Sequence, residues 1–208
     1  MRYKKICIAF ICIIVSALPV FSQTRRDALV LYREGKYTEA IEVCLSEISE
    51  NDRNVESYVV LCWSLVRADR YEEADAWSER GRNISRYDPR LIEIQAEAKY
   101  FLGYNDQSLR LFQDYISYAP NGSRIAQAYY FMGEIYLRQA KYRHADMSFS
   151  AALQLESLNA AWWVRLAYSR EMAKEYRYAL EAYNRALALN SNLQDAIRGR
   201  DRVTGLLR

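Results

Sequence analysis

One short phrase of this sequence returns at a nearly fixed interval. Gly35-Lys36-Tyr37-Thr38-Glu39-Ala40 comes back 34 residues later as Asp69-Arg70-Tyr71-Glu72-Glu73-Ala74. After another 34 residues it is Gly103-Tyr104-Asn105-Asp106-Gln107-Ser108. The next copy, Ala140-Lys141-Tyr142-Arg143-His144-Ala145, is offset by 37, and Lys174-Glu175-Tyr176-Arg177-Tyr178-Ala179 follows 34 further on. The three extra residues fall at Asn121-Gly122-Ser123, where a turn absorbs them. Five copies with one small insertion predict one supersecondary unit repeated along the chain, each unit too small to bury its own apolar face.

Each period holds two amphipathic stretches with helical spacing. In the fourth, Ala128, Tyr129, Met132, Gly133 and Tyr136 recur at three- and four-residue steps, and Ala145, Phe149, Ala152 and Leu155 do so after the turn. Pro89 and Pro120 sit between periods, where a helix must stop or start. Only 7 glycines and 3 prolines occur in 208 residues, too few turn formers for a many-stranded β protein. The expected fold class is therefore all-α.

The fourth unit, Tyr129-x2-Met132-Gly133-x2-Tyr136 followed by Ala145-x3-Phe149-x2-Ala152, resembles the tetratricopeptide repeat (TPR). The fifth matches with Trp163, Leu166, Ala167, Ala179, Tyr183 and Ala186. The second has Cys62 where the pattern has glycine and Ser78 where it has an aromatic. The third and first are weaker, with Lys99 out of pattern in the one and a poorly matching first helix in the other. The resemblance implies a right-handed α-solenoid of about five hairpins over 23–192, after a leader at 1–22 and before a capping helix at 193–208. It also implies a small residue at each helix crossing (Ala40, Ala74, Ser108, Ala145, Ala179). A larger one fills the gap to the next hairpin (Cys44, Phe112, Phe149, Tyr183).

In this family the first helix of each hairpin lines a concave groove. The residues this places there include Arg25, Leu29, Tyr32 and Arg33, then Val59, Trp63, Val66 and Arg67, then Glu93, Glu97, Tyr100 and Phe101. The fourth unit contributes Gln127, Tyr130, Glu134 and Arg138, and the fifth Val164, Tyr168, Glu171 and Met172. Aromatic faces beside arginines are the composition of binding hot spots. The subgroup that clamps a C-terminal carboxylate wants asparagine where this chain has Leu29 and Val60, which argues against that ligand.

The N-terminus reads as an address. Arg2, Lys4 and Lys5 precede an uncharged apolar run from Ile6 to Phe21, and Val20 and Ser22 have the spacing a signal peptidase favours. The run is short for a membrane span. Cleavage after Ser22 is the expectation, with retention as an N-terminal anchor as the rival and lipidation of Cys7 or Cys12 a third. Either main reading puts the array in the periplasm or cell envelope. Taking the three leader charges from the 29 basic residues leaves 26, against 26 acidic ones. A neutral array gives no support for nucleic-acid binding, which needs a basic stripe.

Residues that do chemistry are sparse. The one histidine, His144, has no His or Cys near it in sequence, so a metal site lacks ligands. No nucleophile elbow, glycine-rich phosphate loop or zinc-protease motif appears. Neither an enzyme nor a cofactor is expected. Asn83-Ile84-Ser85 and Asn121-Gly122-Ser123 match a glycosylation triplet that turns often contain by chance. Cys44 and Cys62 flank a turn symmetrically and fall at core positions; buried free thiols and a disulfide both fit. The expected function is a scaffold holding a partner protein or peptide of unknown identity. A small-ligand receptor serving a transporter and a self-assembling structural protein, a homo-oligomer, are the alternatives.

Overall fold

The computed structural model describes residues 27–208, and these residues form helices in succession with no strand among them. They pair as five hairpins: α1 (Ala28–Arg33) with α2 (Tyr37–Glu50), α3 (Val55–Arg67) with α4 (Tyr71–Ile84), α5 (Pro89–Phe101) with α6 (Asn105–Tyr118), α7 (Ile125–Arg138) with α8 (Tyr142–Leu155), and α9 (Ala160–Met172) with α10 (Tyr176–Leu189). A last helix, α11 (Gln194–Leu206), packs on α9 and α10. The first helices also contact one another, α1 with α3, α3 with α5 and α5 with α7, so the hairpins wind as a solenoid.

The repeated phrase is the turn inside each hairpin. Its first residue always has positive φ: Gly35 (77°), Asp69 (57°), Gly103 (80°), Ala140 (55°) and Lys174 (63°). The next residue's N–H then reaches back five residues, Lys36 to Leu31 O at 2.9 Å, Arg70 to Leu65 O at 2.9 Å, Tyr104 to Lys99 O at 2.9 Å, Lys141 to Tyr136 O at 2.8 Å and Glu175 to Arg170 O at 2.8 Å. This is the Schellman arrangement, which satisfies carbonyls that a helix end leaves orphaned. At the other ends, Asp27, Asp88 and Asn159 cap α1, α5 and α9 with side-chain oxygens, and Pro89 occupies the first turn of α5.

The crossings need small residues, and Ala40, Ala74, Ser108, Ala145 and Ala179 have no exposed surface. The Ser108 hydroxyl donates to Ala96 O at 2.7 Å, so its burial leaves no polar group unmet. Phe112, Phe149 and Tyr183 fill the gaps between hairpins, essentially without exposure. One apolar core runs from α1 to α5, a second from α5 to α7, and a third from α7 to α11. In α11, Ala196 and Val203 are buried while Arg198, Asp201 and Arg202 face solvent. That polarity closes the end of the array.

Candidate partner-binding face

The first helices present a connected strip of rings and charges. At its start, Tyr32 on α1 lies 5.7 Å from the Trp63 ring on α3 and 5.8 Å from Tyr37. The Arg67 guanidinium stands 5.9 Å over Tyr37 and its Nε donates to that hydroxyl at 3.4 Å. Burial raises the Tyr32 pKa, opposed by the charges of Arg67 and Arg124.

Beside Arg67 is a cleft of about 270 Å³ lined by Val66, Asp69, Tyr71, Glu97 and Phe101. Phe101 stacks on Tyr71 at 4.5 Å and is still 45% exposed. The Tyr71 hydroxyl donates to Asp69 at 2.5 Å, and burial leads the causes that push its pKa up to about 12. The Phe101 ring continues into Tyr100 (5.1 Å) and Phe131 (6.0 Å), and Tyr130 stacks on Trp162 at 5.0 Å.

The acids of the strip are paired. Arg124 Nε donates to Glu93 at 2.8 Å and its other arm to Glu97 at 2.5 Å. Arg165 grips both oxygens of Glu134, at 2.5 and 2.8 Å, and Arg202 both oxygens of Glu171, at 2.6 and 2.8 Å. Three of these links span 31 residues, from one first helix to the next. Two-pronged arginine–carboxylate bonds fix geometry as well as charge. Arg138 reaches back to Tyr100, donating to its carbonyl at 3.1 Å with the guanidinium 3.9 Å over the ring.

The residues expected on this face divide into groups. Arg33, Arg67, Phe101 and Arg138 are exposed; Tyr32, Trp63, Glu97, Tyr130, Glu134, Tyr168 and Glu171 are half-buried. Four expectations need correction, at Val59, Val66, Glu93 and Tyr100. Val66 is 6% exposed and joins the core spanning α1 to α5, and Glu93 is 1% exposed beneath Arg124. Val59 has no exposed surface and belongs to the core spanning α1 to α5, because the neighbouring first helices cover α3 on its inner side as well. Tyr100 is 8% exposed, enclosed by Phe101, Phe131 and Arg138, so it supports the strip from beneath. Arg25 lies outside the described residues. Arg124, Arg165 and Arg202 were not anticipated; the recurrent glutamate-to-arginine interval of 31 was the available signal.

Cys44 and Cys62 are free and fully buried, which removes the disulfide reading. Two helices packed through small residues have room for two thiols as apolar fillers. His144 is exposed on α8, 5.2 Å from the Tyr136 ring. Among the described residues no group of three or more His, Cys, Asp or Glu is placed to hold a metal, and no helix is long and apolar enough to cross a membrane.

No protein-family model and no curated protein matches the sequence. Solved structures do match the fold. A crystal structure of MamA superposes with a TM-score of 0.69 at 14% identity, over 79% of this chain and 88% of its own. YrrB, described as a TPR protein with an unusual peptide-binding site, gives 0.70 at 14% over 84% of this chain and 88% of its own. A TPR repeat-containing protein from Cytophaga hutchinsonii gives 0.72 at 16% over 85% and 68%. Identities this low carry the architecture and nothing finer. The five hairpins, their left-handed turns and their small crossing residues are those of the tetratricopeptide repeat, and the chain is a TPR-type α-solenoid.

Proposed function

We propose that this solenoid is an interaction scaffold of the cell envelope or periplasm, exported by the segment at 1–22, which holds a segment of a partner protein along its first helices. The observation that carries this is the pairing of accessible aromatic faces with an open arginine. Phe101 and Arg67 line a cleft large enough for one side chain, and the half-buried Trp63 lies one turn before Arg67 on α3. Desolvated aromatic and arginine contacts contribute most of the affinity in protein interfaces. The paired acids supply rigidity to the same strip, which lowers the ordering cost of binding.

The test is recovery of partners from the native envelope on the immobilised full chain, set beside Trp63→Ala and Phe101→Ala. Phe101 is exposed and Trp63 is half-buried against the first core, so both variants are compared with the parent only after circular dichroism shows that they are folded. The expected result is one protein retained by the parent chain and lost from both variants. Retention by both would show that the strip is not the binding face. Export is tested separately: the mature N-terminus should be Gln23, and an intact Met1 in a soluble fraction would overturn it.

A further inference from the structure

Where one hairpin's second helix meets the next hairpin's first helix, the same two repeat positions face each other at four junctions. In three of these four the pair is apolar: Ile48 with Leu61, Ile116 with Met132, Leu153 with Leu166; at the capping helix the equivalent pair is Leu187 with Arg200. The junction of α4 with α5 alone among the four carries Arg82 and Gln95 instead. Gln95 is buried at 4% exposure. The crevice opens there as a cleft of about 450 Å³ lined also by Glu79, Asn83 and Arg86. Its counterpart 71 residues on, over Leu153 and Leu166, is of similar size, about 470 Å³, with an apolar floor.

The polar pair is only partly satisfied from within. Arg82 donates one arm to Gln95 Oε1 at 2.5 Å, Gln95 Nε2 donates to Asp75 at 3.0 Å, and Lys99 holds the other Asp75 oxygen at 2.8 Å. The Arg82 Nε is buried with no hydrogen-bond partner. Among the described residues neither Arg82 nor Arg86 has an ion-pair partner, and Glu79 is the one acid on the lining. Arg82 is half-buried, and a covered Nε without a partner is costly where an apolar side chain packs well in the other junctions between hairpins. That cost at a single repeat position, inside an open cleft, points to a ligand.

We propose that the Arg82–Gln95 cleft binds an oxyanion, a phosphate or a carboxylate group of a small molecule. Arg82 offers its guanidinium, pre-set by Gln95, and Arg86, in the turn that follows α4, offers a second one. Asn83 and Gln95 add amide donors. The site lies away from the aromatic strip and does not depend on the reading of that face.

Calorimetric titration of the full chain with inorganic phosphate and with citrate, at ionic strength matched with chloride, tests it. At least one of the two should bind saturably and weaken about tenfold or more in Arg82→Met and in Arg86→Met, as expected for loss of a charge-assisted contact. Arg110→Met, an exposed arginine elsewhere, should bind as the parent does. The double change Arg82→Leu with Gln95→Leu copies the Leu153/Leu166 pair, so it should fold, melt higher than the parent and lose the anion. Saturable binding of neither anion overturns the site. So does binding that survives the double change, or a double variant that melts lower, which would make the polar pair a structural element.

Discussion

Arg124 at the N-cap of α7 is the counter-ion of Glu93 on α5, with Nε 2.8 Å from a carboxylate oxygen that is almost completely buried. The same guanidinium also serves Glu97, one turn along α5. One cation between two carboxylates joins the third hairpin to the fourth, across the Asn121–Ser123 insertion. Burial is the largest influence on Glu93 and raises its pKa; Arg124 lowers it and Glu97 raises it again, leaving it at about 7. Glu97 is also raised, with burial first among the causes.

A carboxyl raised in the folded state gives stability that is complete below its unfolded pKa and lost as pH climbs through the folded one. Glu93 therefore subtracts stability between about pH 4.5 and 7. Glu93→Gln keeps the shape and never ionises. Its stability in thermal melting, relative to the parent, should rise from pH 5 to about pH 7 and level off above it, a gain on the order of 2 kcal/mol over that range. A difference that stays constant over that range would show that Glu93 is ionised throughout, held by Arg124.

The five hairpin turns make a second prediction. All have a left-handed residue, yet glycine fills only Gly35 and Gly103. An L-residue with a Cβ in that region costs about 1–2 kcal/mol, partly offset by the extra entropy glycine loses on folding. Ala140→Gly should stabilise the array by about 0.5–1 kcal/mol in thermal melting. Gly103→Ala should destabilise it by a similar amount, because a Cβ there meets nothing within 4 Å and only the backbone objects. Equal melting temperatures in both variants would mean the turns are not held in this conformation in solution.

The thiols give a third. Burial lifts Cys44 to about 12 and raises Cys62 as well. The thiolate is the reactive species, so neither should react with an aromatic disulfide reagent at pH 8 in the folded chain. Two equivalents should appear after unfolding the mature form in denaturant. Rapid labelling of the native protein would contradict the placement of both residues in the first core.

The repeat was legible because its physics is local. A left-handed turn residue, a small residue five positions later and an aromatic four beyond that are spaced by helix geometry alone, so Ala145 and Phe149 announce themselves. The core positions of α2, α4, α6, α8 and α10 follow from that register. The inner surface was less legible because it depends on curvature. Val59 occupies a groove position by family pattern, yet contacts between successive first helices seal it. Arg124, Arg165 and Arg202 reach their acids across a hairpin, a relation that no single-helix periodicity encodes. The departure at Arg82 and Gln95 was visible in the sequence only once the register at Ile48, Leu153 and Leu166 showed what normally stands there.

Packing at the crossings gives the last prediction. A Cβ at Gly133 on α7 would lie 2.6 Å from a Phe149 ring carbon, and Phe149 is fully buried against Tyr130, so the ring has nowhere to retreat. Gly133→Ala should therefore cost about 1–3 kcal/mol, as should Ala145→Leu at the neighbouring crossing. Gly205 on α11 is the internal contrast. It is helical and exposed, and a Cβ there meets nothing within 4 Å. Gly205→Ala should raise stability by about 0.5–1 kcal/mol through helix propensity alone. The same chemical change then moves the melting temperature in opposite directions at two positions, and movement in one direction at both would refute the register of α7 on α8.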